Sequence, residues 1–466
     1  MEENCAKNPA PALIQAVTSG SLESIRDMLD AGVPADSQTD DRIPAVAIAA
    51  ACGRRDILEL LLDSKAAIHD IQDDLSCLFE RFPGHDNVLE VLLQLHPQLD
   101  VVNDSDKKTI LQWAASIGNT PLTRLMLLAK AQVDLNAPFQ KSPLMYAAEN
   151  GHVDTLRVLL AAGAYEELQD KEGNTPLMVA AAGGHIDVAK ALLEAGAKLY
   201  MSNKLGWTAL SCACRANNLK MMKFLIEANA PINMKDHHGY SALILAAKYN
   251  LIDAVKLLIE AGADMDARNF RKTTSLAMAS FYGYVEIAKM LIEAKAYLEE
   301  TNYEGETALF RAVEAGCTEI VQALIDAGAD IDAKDERGAS IFFRAADSGS
   351  LDVMRILLDL GLDVDGADEE GYRPLFAAVE GGHEEAVQML IDAGADVNTP
   401  SEDGTTPLMM AVSNDNVTIV KILIDAKADL ESRNDNGETC LIIAARSEDA
   451  EIIKALLEAG ARADIL

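Results

Sequence analysis

The stretch DKEGNTPLMVAAAGGHIDVAKALLEAGAKLYMSN, residues 170–203, decides how the chain is read. Asp170 to Asn174 is a turn with Gly173 at its tip. Thr175 is placed to cap a helix, and Pro176 at the first helical position costs no hydrogen-bond donor that the helix needs. The first helix, Pro176 to Ala182, is short and rich in Ala, so a neighbour can approach closely. Gly183 and Gly184 end it. A second helix runs from Ile186 to Glu194, with Ile186, Val188, Ala189, Leu192 and Leu193 at helical spacing for burial. Ala195, Gly196 and Ala197 stop it, and a loop leads to the next turn.

The same pattern recurs outward in both directions with a period of 33 residues. From TPL at 175–177 it continues as TAL (208–210), SAL (241–243), TSL (274–276), TAL (307–309), SIF (340–342), RPL (373–375), TPL (406–408) and TCL (439–441). Backward it gives SPL (142–144), TIL (109–111), SCL (76–78), IPA (43–45) and APA (10–12), which makes fourteen units. One such unit buries too little surface to offset its chain entropy, so stability comes from contact with its neighbours. The third unit, residues 74–104, is degenerate: Pro83 falls where its first helix should finish, which predicts a local distortion.

The TPL motif, the period and the stops at Ala261 to Asp264, Ala327 to Asp330 and Ala393 to Asp396 together resemble the ankyrin repeat. The resemblance covers essentially the whole chain. It implies an all-α solenoid of stacked helix-turn-helix units with turn fingers, forming a curved, elongated arc. On this reading residues 1–8 are an N-terminal tail and 9–466 one continuous repeat domain. The family usually places His after TPL, where it ties neighbouring turns together. Here that position holds Met145, Met178, Ser211, Ile244, Ala277, Phe310, Phe343, Phe376, Met409 and Ile442, which predicts mainly apolar contacts in its place.

Composition narrows the function. Lys plus Arg number 40 against 74 Asp plus Glu, a net charge of −34, which disfavours nucleic-acid backbones and anionic membrane surfaces. No basic stretch followed by an apolar run opens the sequence, and no segment approaches a membrane span, so the expected protein is soluble and cytoplasmic. The seven cysteines are odd in number and mostly in apolar helical runs, which reads as reduced, small core residues. Cys212 and Cys214, two apart in one helix, make a poor chelating pair.

Catalytic signatures are missing: there is no Walker loop, no GxSxG and no HExxH. Carboxylates recur with the repeat, as in Asp330 with Asp332 and Asp363 with Asp365, which marks solvated loops rather than an acid–base pair. These pairs lack the Gly and closing Glu of a calcium loop. No catalytic residue, metal ligand or cofactor is expected.

Function then rests on surface recognition. In stacked turn-helix-helix units, turn tips and exposed first-helix positions line a concave face. Those positions hold Trp207 and Arg215 in the seventh unit, and His237, His238, Tyr240, Lys248 and Tyr249 in the eighth. The ninth supplies Phe270, Arg271, Phe281 and Tyr282, with Lys272 in place of the turn Gly, and the tenth begins with Tyr303. Residues 204–302 carry 12 Lys/Arg and 10 Asp/Glu, whereas 1–203 carry 16 and 29 and 303–466 carry 12 and 35. Nine of the 22 aromatics also fall in 204–302. Aromatics and Arg often carry interface energy, so the segment 204–303 is the expected partner-binding region. The acidic turn tips Glu369, Glu370, Glu402 and Asp403, with Glu380, form a rival surface suited to a basic partner.

The expected role is a non-catalytic scaffold or adaptor that binds a protein or peptide. Two alternatives stay open: a structural component of a larger assembly, for example along a cytoskeletal filament, and an effector that inhibits a target enzyme by binding it.

Overall fold

A computed structural model describes residues 10–39, 45–52, 54–64, 108–135 and 141–463. The expected distortion at Pro83 lies outside these residues. The described residues are helical and contain no β-strand; an isolated bridge joins Lys334 and Ser340. The chain divides into two compact units, Met1–Pro231 and Ile232–Leu466. The division falls inside the segment 204–303, so its residues belong partly to each.

Both units are built from antiparallel helix pairs. The first contains Pro143–Glu149 with Val153–Ala161, Pro176–Gly183 with Ile186–Glu194, and Ala209–Arg215 with Leu219–Glu227, among others. The second contains Ala242–Lys248 with Ile252–Glu260, Ser275–Phe281 with Val285–Glu293, and Ala308–Glu314 with Thr318–Asp326, and continues to Cys440–Ser447 with Ala450–Ala459. Within a unit, first helices pack on first helices and second on second.

The helix starts follow from side-chain chemistry. Thr175 accepts the backbone N–H of Met178 at 3.4 Å, Thr274 that of Ala277 at 3.1 Å, and Ser340 that of Phe343 at 3.1 Å. Each satisfies one of the four donors a helix start leaves open. The pair Ala180 and Ala181 is fully buried, and so is Ala246 with Ala247. Side chains this small let adjacent first helices come close. The second helix buries Val188, Ala189 and Leu192, whereas Ile186 and Leu193 are only half-buried.

The position after the TPL motif is mostly apolar and mostly buried: Met145, Phe310 and Met409 are at most 1% exposed, and the polar Ser211 is 3% exposed. Phe343 and Ile442 are half-buried. One polar tie sits at this position, where Gln112 after TIL donates its Nε2 N–H to the Lys141 carbonyl at 2.9 Å; others come from elsewhere. His185 Nε2 donates to the Glu149 carbonyl and His383 Nε2 to the Asp347 carbonyl, both at 2.9 Å. At the opposite end of the pair, carboxylates accept backbone N–H groups 31 residues on: Asp266 from Tyr297 at 2.9 Å, Glu299 from Asp330 at 3.0 Å, and Asp365 from Asp396 at 3.2 Å. Several acids expected to be merely solvated therefore join one repeat to the next.

Candidate functional site

The turns place the candidate residues. In most of them a buried Asp or Asn opens the turn, and its side-chain oxygen accepts the N–H groups two and four residues later. In the first unit Asn203 accepts from Leu205 and Trp207, both at 2.9 Å. In the second unit Asp236 accepts from His238 and Tyr240 at 2.8 Å, and Asn269 from Arg271 and Thr273 at 2.9 Å. Closing the turn in this way leaves the residues between as an exposed tip. Adjacent tips are also joined through the backbone: Lys204 donates to Glu172 at 2.9 Å, Phe270 to His238 at 3.0 Å, and Glu336 to Glu304 at 2.9 Å. The approach is close enough that a Cβ at Gly239, whose φ is +80°, would lie 2.6 Å from the Phe270 nitrogen.

Lys272 stands where the turns from Gly173 to Gly437 otherwise have Gly, at a φ of 59°. Among the described residues no backbone bond joins Tyr303 to Arg271, where the repeat would put one. Instead the Lys272 Nζ sits 4.7 Å from the centre of the Tyr303 ring.

The first unit carries a recess of about 680 Å³ between the turn tips and first helices of its last two repeats. Trp207, Leu205, Met178, Val179, Cys212 and Arg215 contribute to its wall. The Arg215 guanidinium lies 4.6 Å from the Trp207 ring centre, so these two candidates are brought together. Burial pushes the Cys212 thiol up to about 12, and does the same to Cys214 and Cys440. A thiol so disfavoured as thiolate is a packing group rather than a nucleophile.

The second unit carries a recess of about 480 Å³ that gathers most of the other candidates. His238, Tyr240, Phe270 and Arg271 come from the turns, and Lys248, Phe281 and Tyr282 from the ends of the first helices. Phe270 is 64% exposed and Tyr282 44%, unusual for rings this large. Phe281 and Tyr282 meet edge to face at 5.1 Å, and Tyr282 stacks on Tyr284 at 5.5 Å, which holds the wall in place. Lys248 Nζ lies 4.7 Å from the Tyr240 ring and 5.8 Å from that of Tyr249. His237, Tyr249 and Tyr303 are exposed nearby but do not line the recess.

Sequence reasoning missed Arg311. It lies on the first helix of the next repeat, 4.0 Å from the Phe281 ring centre, and is held from behind by Glu306 at 2.9 Å and Glu314 at 2.7 Å. It occupies a mid-helix position, whereas the candidates taken from sequence lie at turn tips and helix ends. Met278, one repeat earlier at the same position, is missed for the same reason.

The acidic tips Glu369, Glu370, Glu402 and Asp403 are exposed, as expected. They make a negative field that the nearby phenol registers. Burial and then the charges of Asp403, Glu370, Glu380 and Asp368 raise the Tyr372 pKa above its ordinary value. Among the described residues no group of three or more His, Cys, Asp or Glu could hold a metal ion, and no helix is long and apolar enough to cross a membrane.

Comparison with known proteins accounts for the repeated pair. The family model described as ankyrin repeats (3 copies) matches residues 80–170, 122–203, 164–236, 196–269, 243–335, 333–401 and 394–465. Among solved structures, the chain is similar to the human ASB11 ankyrin repeat domain, with 29% identity, 48% of this chain and 99% of that one covered, and a TM-score of 0.45. It is also similar to the ankyrin repeat domain of Bcl-3, with 26% identity, 47% and 100% covered, and a TM-score of 0.41. A comparison with curated proteins finds no match. Ankyrin repeats generally mediate protein–protein interaction. With its TPL-type helix starts, its 33-residue period and this nearly continuous match, the chain belongs to the ankyrin repeat family.

Proposed function

We propose that the protein is a non-catalytic scaffold or adaptor that binds a partner protein or peptide on the face made by its turn tips and first helices. The observation that carries this reading is the recess of the second unit. Phe270, Phe281 and Tyr282 stand exposed around it, the last two held by ring contacts, beside Lys248, Arg271 and Arg311. Exposed rings already fixed in place bury much area on binding at little further cost in side-chain entropy. The first unit's recess, with Trp207 and Arg215, supports the same reading independently. No nucleic acid, membrane or cofactor is part of this role, and a cytoplasmic setting suits the reduced thiols.

The test is capture of partners from lysate by the full chain and by Phe281→Ala with Tyr282→Ala. Both rings are exposed, so the thermal midpoint should hold while capture drops at least about tenfold, a loss of roughly 1.4 kcal/mol. Substituting the exposed second-helix residue Lys289 by Ala should leave capture unchanged. Equal capture by all three proteins would remove the reading. The acidic tips around Tyr372 favour a second role, contact with a basic component of a larger assembly, which Glu369→Lys with Glu402→Lys would weaken.

A further inference from the structure

We infer that the recess of the second unit recognises an acidic segment of a partner protein, one that carries an apolar or aromatic side chain beside its carboxylates. This rests on the docking role proposed above and names the chemistry of what docks.

The sign of charge at the recess opposes that of the chain. The protein has 74 acidic against 40 basic residues, yet the recess lining contains Lys248, Arg271, Arg311 and His238 and not one carboxylate. Arginines elsewhere in this unit are mostly neutralised: Arg268 by Glu300 at 2.8 Å, Arg344 by Glu306, Asp335 and Asp347, and Arg373 by Asp365 at 3.7 Å. Arg271 and Lys248 pair with no carboxylate among the described residues. Lys248 rests instead on the ring of Tyr240, whereas Arg311, on the ring of Phe281, is paired from behind with Glu306 and Glu314, so the uncancelled charge is that of Lys248 and Arg271. A ring face positions a cation without cancelling its charge, so the attraction for an incoming anion remains.

The walls supply the apolar half. Phe270, Phe281, Tyr282 and Met278 line a volume of about 480 Å³, which admits one large side chain with its flanking backbone. Cations and rings lie side by side, so the complementary ligand sets carboxylates next to an apolar anchor. Rings and cations also suit single-stranded nucleic acid. The surroundings favour a peptide. A phosphate backbone carries charge along its whole length, and past the recess it would meet the exposed tip carboxylates Glu304 and Glu336, on turns joined by a 2.9 Å backbone bond. An acidic peptide segment confines its charge to the recess.

The test is selection of peptides from a display library of random dodecapeptides on the full chain, with Lys248→Glu plus Arg271→Glu as the comparison protein. Selected peptides should be net negative, with Phe, Trp or Leu inside the acidic run, and should bind the wild type at least about tenfold more tightly than the charge-reversed variant. Arg271 is exposed, and Arg271→Gln alone, which should weaken binding about threefold or more, serves if the double variant does not fold. The inference is overturned by neutral or basic selected peptides, by acidic peptides that bind both proteins equally, by no enrichment at all, or by an oligothymidylate of the same length that competes as well as the peptide. A lysate partner lost in Phe281→Ala with Tyr282→Ala but unaffected by Lys248→Glu with Arg271→Glu would leave the docking role standing and remove only the acidic segment.

Discussion

Asn269 shows what one side chain does in this protein. It is 6% exposed, and its Oδ1 accepts the N–H groups of Arg271 and Thr273 at 2.9 Å, which fixes the tip that presents Phe270 and Arg271. Asn269→Ala leaves both donors without that acceptor and should cost about 2 kcal/mol in chemical denaturation. A change below about 0.5 kcal/mol would mean the tip does not depend on it. Asp396 offers a second test. Its carboxylate accepts the Thr399 hydroxyl at 2.6 Å and the Asn398 N–H at 2.9 Å, and these bonds, the hydroxyl first, hold its pKa below the ordinary 3.8. A depressed carboxylate stabilises the fold above its unfolded pKa, and the contribution is lost as pH falls through the lower folded value. In Thr399→Val the Asp396 resonance should titrate closer to 3.8, and the acid-side loss of stability should shrink. The turn and its Gly are legible in the sequence because the signal is local. The use of Asp266, Glu299 and Asp365 as ties is not, because each acceptor lies 31 residues from its donor.

The helix pair is the element in which sequence and structure agree best. Thr or Ser followed by an apolar run marks nearly every first-helix start, and the second helix Ile186–Glu194 lies where its spacing puts it. Only the ends of these helices show departures. Most second helices end at a Gly with positive φ, such as Gly262 and Gly328, but Lys295 takes that place with a φ of 67°. A side chain with a Cβ is strained there. Lys295→Gly should therefore raise stability by about 0.5–1 kcal/mol, with the gain in unfolded-chain entropy offsetting part of the relief. A lower thermal midpoint would contradict this. The terminal pair carries Ile442, Ile443, Ile452 and Ile453, with no later repeat in the sequence to cover them. The structure buries Ile443 and Ile452 between Cys440–Ser447 and Ala450–Ala459 and half-buries the other two, since the two last helices pack on each other.

At the scale of the molecule, stability is a sum over neighbouring pairs within each compact unit. Phe310 is fully buried in the second unit, at the position where the family usually has His. Phe310→Ala should cost about 3–5 kcal/mol. Amide exchange should speed most in Ser275–Phe281, Ala308–Glu314 and Ile341–Asp347, the first helices that pack in sequence. Uniform loss of protection across the unit would argue for a single cooperative block instead. The charge profile and the cluster of rings were legible at this scale, because they are sums over sequence. Which rings share a recess was not, since Arg311 and Phe281 meet only when one repeat stacks on the next. The docking face is best tested by a photo-crosslinking amino acid placed at Phe281 and, separately, at Lys289 on the exposed side of the second helix, in the full chain exposed to lysate. The account predicts a discrete partner adduct from position 281 and none from 289; adducts from 289 alone, or from both in equal yield, contradict it.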